Sequence, residues 1–326
     1  MKRLVLAIAS LFIIVFVLPL FLLNQHIKQE NSINDIKSQE GIVIRVFNTE
    51  TGKIQNMDLE EYILGVVAGE MPADFELEAL KAQALAARTY TLLRMPAFGG
   101  KGCSKHPGAD ICTDPSHCQA YRDPTTVKND LNKLKQAIKD TSGEVIVYDG
   151  KLIDAVFHST SSGRTENSED VWSNEVPYLR SVMSQFDERS PKFNSKKQFN
   201  ITDFIGKMKQ IDTGTKINSS KLKSELKIEE RSEGGGVLKM KVGNKVFKGT
   251  QLRDALGLNS NNFSFALDGK YIIFSVTGYG HGIGMSQYGA DGMARNGSDY
   301  REIIKHYYSG VDIETIQDLK KAQGLN

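Results

Sequence analysis

The sequence predicts an α+β protein: mixed helices and antiparallel strands in a larger lobe, a smaller lobe inserted into it, and one transmembrane helix ahead of both. Three observations carry this expectation. An apolar run fills residues 4–23. Helix and strand patterns then follow one another without the regular alternation that marks a parallel sheet. Near Ser190 the composition turns lysine-rich and stays so to about residue 267, after which a glycine-rich run begins.

Lys2 and Arg3 precede the apolar run, which only Ser10 and Pro19 interrupt. About 20 apolar residues suffice to cross a bilayer as a helix. The cationic pair keeps residues 1–3 in the cytoplasm and places the rest of the chain outside. A cleaved signal peptide would need small residues before the cut, and Asn24, Gln25, His26 and Ile27 supply none. A retained anchor is therefore expected, followed by a polar stalk over 24–40. With 41 Lys and Arg against 39 Asp and Glu, the formal charge is only +2. Nothing in that balance draws nucleic acid.

The larger lobe begins with a β-branched strand at 41–48 and a second at 56–59, then a short helix at 60–67. Residues 75–93 form the strongest helix, rich in Ala, Leu, Glu, Lys, Gln and Arg. Leu77, Leu80, Ala84 and Thr91 share one face of it, with Lys81 and Arg88 along the edge. Residues 99–123 form a loop rich in Gly, Pro, Cys and His. A helix at 131–141 and strands at 144–148 and 152–158 complete the first part, which ends near 190. The smaller lobe spans 191–267, with a hairpin around 234–236 and a short helix at 251–256. The larger lobe resumes at 268–326 with a strand at 271–276, the glycine run, and helices at 286–295 and 300–308.

Glu70 stands in GEMP, on a bend that Gly69 permits and Pro72 enforces. A carboxylate there is either a held acid at the mouth between two helices or a solvated charge near a helix start. His158, Ser159, Thr160, Ser161 and Ser162 follow a strand end and suit a sugar or a turn equally. Lys81 and Arg88 line a groove or merely snorkel. Glycines 278, 280, 282 and 284 surround His281, and alternate glycines let a backbone approach a ligand or simply turn. Ser286, Gln287 and Tyr288 flank whatever that loop contacts. The spacing is not that of a nucleotide-binding fingerprint.

The three cysteines, Cys103, Cys112 and Cys118, fall in one stretch with His106 and His117. An odd, clustered set interleaved with imidazoles favours a metal over a disulfide. His106, Cys112, His117 and Cys118 are the expected ligands of a closed structural zinc, with Cys103 spare. The alternative is a disulfide through Cys103.

Three segments in order, GEMPADFELEALKAQALAARTY, HSTSSGRTENSEDVW and GYGHGIGMSQYGADGMARNG, resemble the stage II sporulation protein D family. The resemblance covers most of the chain after the apolar run. It implies a peptidoglycan lytic transglycosylase that acts on glycan strands already stripped of stem peptides. It places the enzyme on the mother-cell membrane during engulfment, beside a cell-wall amidase and other membrane proteins. It makes Glu70 the catalytic acid. With their polarity, it lines the groove with Lys81, Gln83, Arg88, His158, Ser159, Ser161, His281, Ser286, Gln287 and Tyr288. Glu60, Glu61, Glu166, Glu169 and Asp170 remain candidates for a second acid if water, rather than the sugar, completes the reaction. Two rivals stand beside this reading. One is a zinc amidase, which would need an open metal position; the other is a glycan-binding scaffold without turnover.

Overall fold

A computed structural model describes residues 41–127 and 130–324. The expected anchor at 4–23 and stalk at 24–40 lie outside the described residues. No helix among the described residues is long and apolar enough to cross a membrane.

Helices and mainly antiparallel strands alternate irregularly, as expected of an α+β chain. Strands β1 (Val43–Asn48) and β2 (Lys53–Asp58) form an antiparallel hairpin. Helix α1 (Leu59–Glu70) follows at once, because the Asp58 carboxylate accepts from Glu60 N and caps it. Helix α2 (Leu77–Arg94) comes next, and the two-residue β3 (Ile111–Cys112) then joins β1 in parallel. Helix α3 (Leu131–Asp140) leads into β4 (Glu144–Tyr148), β5 (Lys151–Leu152) and β6 (Phe157–His158). The strand expected over 152–158 is thus broken. Its middle leaves the ladder: Asp154 N donates to the Tyr178 hydroxyl and Val156 O accepts from Met285 N.

From Asn194 the chain builds a second sheet-and-helix unit. It comprises β7 (Asn194–Asn200), α4 (Ile201–Ile211), β8 (Leu226–Arg231), β9 (Val237–Val242), β10 (Lys245–Lys248), α5 (Gly249–Leu256), β11 (Phe263–Asp268) and β12 (Tyr271–Thr277). Strand β12 lies between β11 and β7. The chain then returns through β13 (Met285–Ser286), α6 (Gln287–Arg295), α7 (Tyr300–Tyr307), β14 (Asp312–Thr315) and α8 (Ile316–Gln323). Helices α4 and α8 and strand β7 were not expected from the sequence.

Two buried clusters result. One draws on residues from Ile42 to Leu179 and again from Ile283 to Leu319. The other centres on Phe204, Met208, Met240, Leu252, Phe263 and Phe274. Strand β12, expected to open the last part of the larger lobe, gives Ile272, Phe274 and Val276 to this second cluster.

Helix α2 is the hub of the first cluster. From Ala79 to Leu92 every residue but Lys81 is buried. The single face expected from Leu77, Leu80, Ala84 and Thr91 is too narrow, since α1, α3, α6, α7 and β4 all contact this helix. Five alanines keep its girth small enough for neighbours on every side.

Candidate active site

Glu70 is the last residue of α1, and the backbone turns extended at Met71 with φ −121° and ψ 143°. The end of the Cys/His loop lies across this last turn. A Cβ on Gly65 would sit 2.1 Å from a Tyr121 ring carbon, and one on Gly69 would sit 2.9 Å from Tyr121 N. Arg122 N donates to Gly65 O at 3.0 Å. This close approach, open only to glycine, brings Ala120 N to 2.6 Å from Glu70 Oε1. Gln287 Nε2 stands 3.4 Å from Glu70 Oε2. Burial raises the Glu70 pKa, the two donors lower it, and burial wins. The carboxyl group therefore holds its proton to higher pH than an exposed glutamate.

Glu70 lies on the wall of a cleft of ≈ 490 Å³. The lining also includes Arg94 and Asp154, joined by two contacts of 3.3 Å. The Arg94 guanidinium also lies 3.1 Å from the centroid of the Tyr90 ring. His281 lines the same cleft, and Trp172 borders it at 40% exposure. Ile283 N donates to His281 Nδ1 at 3.1 Å, which leaves the proton on Nε2. Burial lowers the His281 pKa to about 4, so the ring is neutral at physiological pH.

Several expected groove residues go elsewhere. Arg88 is fully buried and forms a two-point ion pair with Glu60, 2.7 Å from Nε to Oε1 and 2.6 Å from Nη2 to Oε2. Lys81 pairs with Glu78 at 2.7 Å and Asp140 at 2.9 Å. Packing of α1 and α3 against α2 supplies Glu60 and Asp140, whereas Glu78 stands one turn before Lys81 on α2 itself. Ser161 and Ser286 are buried around Asp187: Ser161 N donates to it at 2.7 Å, and the Ser286 hydroxyl also donates. His158 is buried, with Nδ1 3.1 Å from Ile283 O, and burial lowers its pKa to about 3. Ser159 and Tyr288 are joined through the backbone, Tyr288 N to Ser159 O at 3.1 Å, and neither lines the cleft.

Three expected residues do gather at or beside the acid: Glu70 itself, His281, and Gln287, whose amide also lies 3.4 Å from Gln83 Oε1. Of the possible second acids, Glu60 is spent on Arg88, Glu169 pairs with Arg180, and Glu166 accepts from Gly236 N at 3.0 Å. None of these three lines the cleft, nor do Glu61 and Asp170. Asp154 does, and sequence reasoning missed it together with Arg94 and Tyr90. Arg94 and Asp154 are 60 residues apart in the chain, and nothing in either neighbourhood points to the other.

The Cys/His loop borders the cleft through His117 and Cys118. One ligand atom from each of Cys103, Cys112, His117 and Cys118 lies within 4.8 Å of the other three. Three thiols and one imidazole in that compass suit tetrahedral zinc. The set corrects the expected one: Cys103 takes the place of His106. The His106 ring stacks on Phe47 at 3.8 Å, and its Nδ1 is 3.3 Å from Cys103 Sγ. The cysteines are free thiols, so the disulfide alternative is not formed.

A half-buried carboxyl group with a raised pKa on the wall of a polar cleft suits an acid catalyst. The family model described as Stage II sporulation protein matches residues 47–148, which include Glu70. The chain is 36% identical to stage II sporulation protein D of Bacillus amyloliquefaciens over 88% of its length and 83% of that protein. It is 38% identical to stage II sporulation protein D of Bacillus subtilis over 83% of its length and 79% of that protein. The chain therefore belongs to the stage II sporulation protein D family. It is also 28% identical to the amidase enhancer of Bacillus subtilis, over 76% of its own length and 40% of that protein.

Proposed function

We propose that this protein is a lytic transglycosylase acting on peptide-stripped peptidoglycan strands during sporulation. The observation that carries the reading is Glu70: a carboxyl group whose pKa burial raises, on the wall of a polar cleft, fixed by the Ala120 amide. Protonated Glu70 donates to the oxygen that links C1 of N-acetylmuramic acid to the next N-acetylglucosamine. That bond breaks and N-acetylglucosamine leaves with its hydroxyl restored. The muramyl N-acetyl group shields the positive charge at C1. The C6 hydroxyl then attacks C1 and gives its proton back to Glu70, which closes a 1,6-anhydro ring and regenerates the acid.

One carboxyl group is enough for this sequence, whereas hydrolysis usually takes two. Asp154 favours a second reading, because it shares the cleft and would serve as a base for water. Its ion pair with Arg94 argues against that role, since the guanidinium holds the carboxylate in place and charge-compensated. Gln287 is the orienting amide of Glu70, and Gln83 accepts from Gln287 behind it. A zinc held by the Cys/His loop has a structural part in this scheme, because four protein ligands leave no place for a reactive water. A zinc amidase is disfavoured on the same ground.

The apolar run at 4–23 would hold this domain on the outer face of the mother-cell membrane. The name of the amidase enhancer relative is in keeping with an amidase as partner, which would expose the bare strand. The deciding experiment is mass spectrometry of products from purified, peptide-free strands. Products ending in 1,6-anhydromuramic acid are expected, lighter by one water than hydrolytic ends. Reducing ends without that ring would retain a glycosidase and favour the Asp154 reading. Glu70→Gln keeps the shape of the side chain but cannot donate and recover a proton. It should lower turnover by about 10³–10⁴, and undiminished turnover would remove Glu70 from the mechanism.

A further inference from the structure

We propose that Trp172 is a sugar-stacking platform over which the glycan strand leaves the Glu70 cleft and enters a second cleft on the inserted unit. The proposal rests on the glycan reading above and extends it to residues outside the three motifs' polar positions.

Trp172 lines two clefts at once. One is the Glu70 cleft; the other, of ≈ 220 Å³, lies between the turn at Glu169–Trp172 and a wall formed by Glu230, Val237, Lys239, Lys248 and Thr250. Trp172 is therefore common to the walls of both spaces. A large aromatic ring left 40% exposed on such a ridge offers an apolar face to the C–H face of a sugar.

The turn that carries the ring is held in place before any ligand arrives. Trp172 N donates to Ser168 O at 2.7 Å, and Ser168 Oγ accepts from Val176 N at 2.8 Å. Glu169 fixes the same turn to Arg180 through bonds of 2.8 and 2.6 Å. The neutral His281 ring packs beside the indole with centroids 5.6 Å apart. A preorganised ring loses little freedom on binding.

The second cleft is polar without carrying net charge. Glu169 is matched by Arg180, Glu230 by Lys239 at 2.5 Å, and Asp170 has Lys248 on the same rim. Compensated charges of this kind offer hydrogen bonds without attracting an anion or a cation, which suits an uncharged, polyhydroxylated ligand. The N-acetylglucosamine units of a stripped strand have that chemistry; the muramyl units, which keep a lactyl carboxylate, do not. The inserted unit thereby becomes the far wall of an extended glycan site.

Trp172 is the single tryptophan of the chain, so its fluorescence reports on this site alone. The test uses the full-length Glu70→Gln protein and peptide-free fragments of two and six sugars, with calorimetry alongside fluorescence. The six-sugar fragment should shift the emission to the blue and bind at least about ten-fold tighter than the two-sugar fragment. Trp172→Ala, and separately Thr250→Arg on the opposite wall, should each remove that gain. Equal affinity for the two lengths would overturn the proposal, as would a gain that survives in both variants. Those results would leave the glycan reading standing. Absence of binding by any fragment in calorimetry would instead sink the glycan reading, and this inference with it.

Discussion

Ala120 N donates to Glu70 Oε1 at 2.6 Å, and that bond exists because two glycines one turn apart on α1 let the backbone of the Cys/His loop lie against the helix. The acid and the loop are thus one mechanical unit. Gly69→Ala tests it. The added methyl would meet rigid backbone at 2.9–3.0 Å, so the loop must shift. Overpacking of this kind costs about 1–3 kcal/mol. Turnover of stripped strands should fall further than the loss of stability alone accounts for, which paired melting and rate measurements will separate.

The cluster of Cys103, Cys112, His117 and Cys118 lies two residues ahead of that amide. Cys112→Ser should release zinc, lower the melting temperature and reduce turnover through displacement of Ala120. Metal analysis of the purified wild type and variant checks it; no zinc in the wild type would end the metal proposal. Cys103→Ser and His106→Ala, measured in the same way, identify the fourth ligand.

Arg88 and Glu60 form a buried ion pair remote from the cleft lining. Arg88→Ala leaves the Glu60 carboxylate buried without its partner and should destabilise the fold by about 3–5 kcal/mol. The double variant Arg88→Met with Glu60→Gln should be less damaging. Denaturant unfolding compares the two. A variant that folds normally but loses glycan affinity would instead restore Arg88 to the groove.

Asp187 gathers Ser184, Ser286 and Ser161, yet burial outweighs these donors and raises its pKa from the ordinary 3.8 to about 6. The folded pKa exceeds the unfolded one. The stabilisation is therefore complete below about pH 3.8 and is lost as pH rises through about 6. A rise of that size corresponds to at most about 3 kcal/mol. Wild type should lose melting temperature between pH 4 and 7 relative to Asp187→Asn. Parallel pH curves for the two proteins would contradict this.

Local pattern carried some of this chain very far. The strand at 144–148 was legible to the residue because four consecutive β-branched or aromatic residues, Val145 to Tyr148, follow Glu144, and Gly143 and Gly150 bracket the segment. Gly69 and Pro72 constrain the backbone on either side of Glu70 and marked it as a carboxylate on a bend, either a held acid or a solvated charge. The family resemblance added what those signals mean. Lys81 and Arg88 were misplaced for an instructive reason. Seven-residue spacing sets them along one edge of α2, but spacing does not say whether solvent or another helix meets that edge.

By itself, then, the sequence determined many of the helical and extended segments, though not α4, α8 or β7, together with the bend that holds Glu70 and the gathering of cysteine and histidine in one loop. Each of these depends on neighbours within a turn or two of the chain. The tertiary structure alone decided that Arg88 is spent on Glu60, that Cys103 rather than His106 joins the cluster, and that Asp154 and Trp172 share the cleft with Glu70. Those are meetings of residues tens of positions apart. Burial and charge pairing set them only when separate elements pack, and one-dimensional spacing holds no record of that packing.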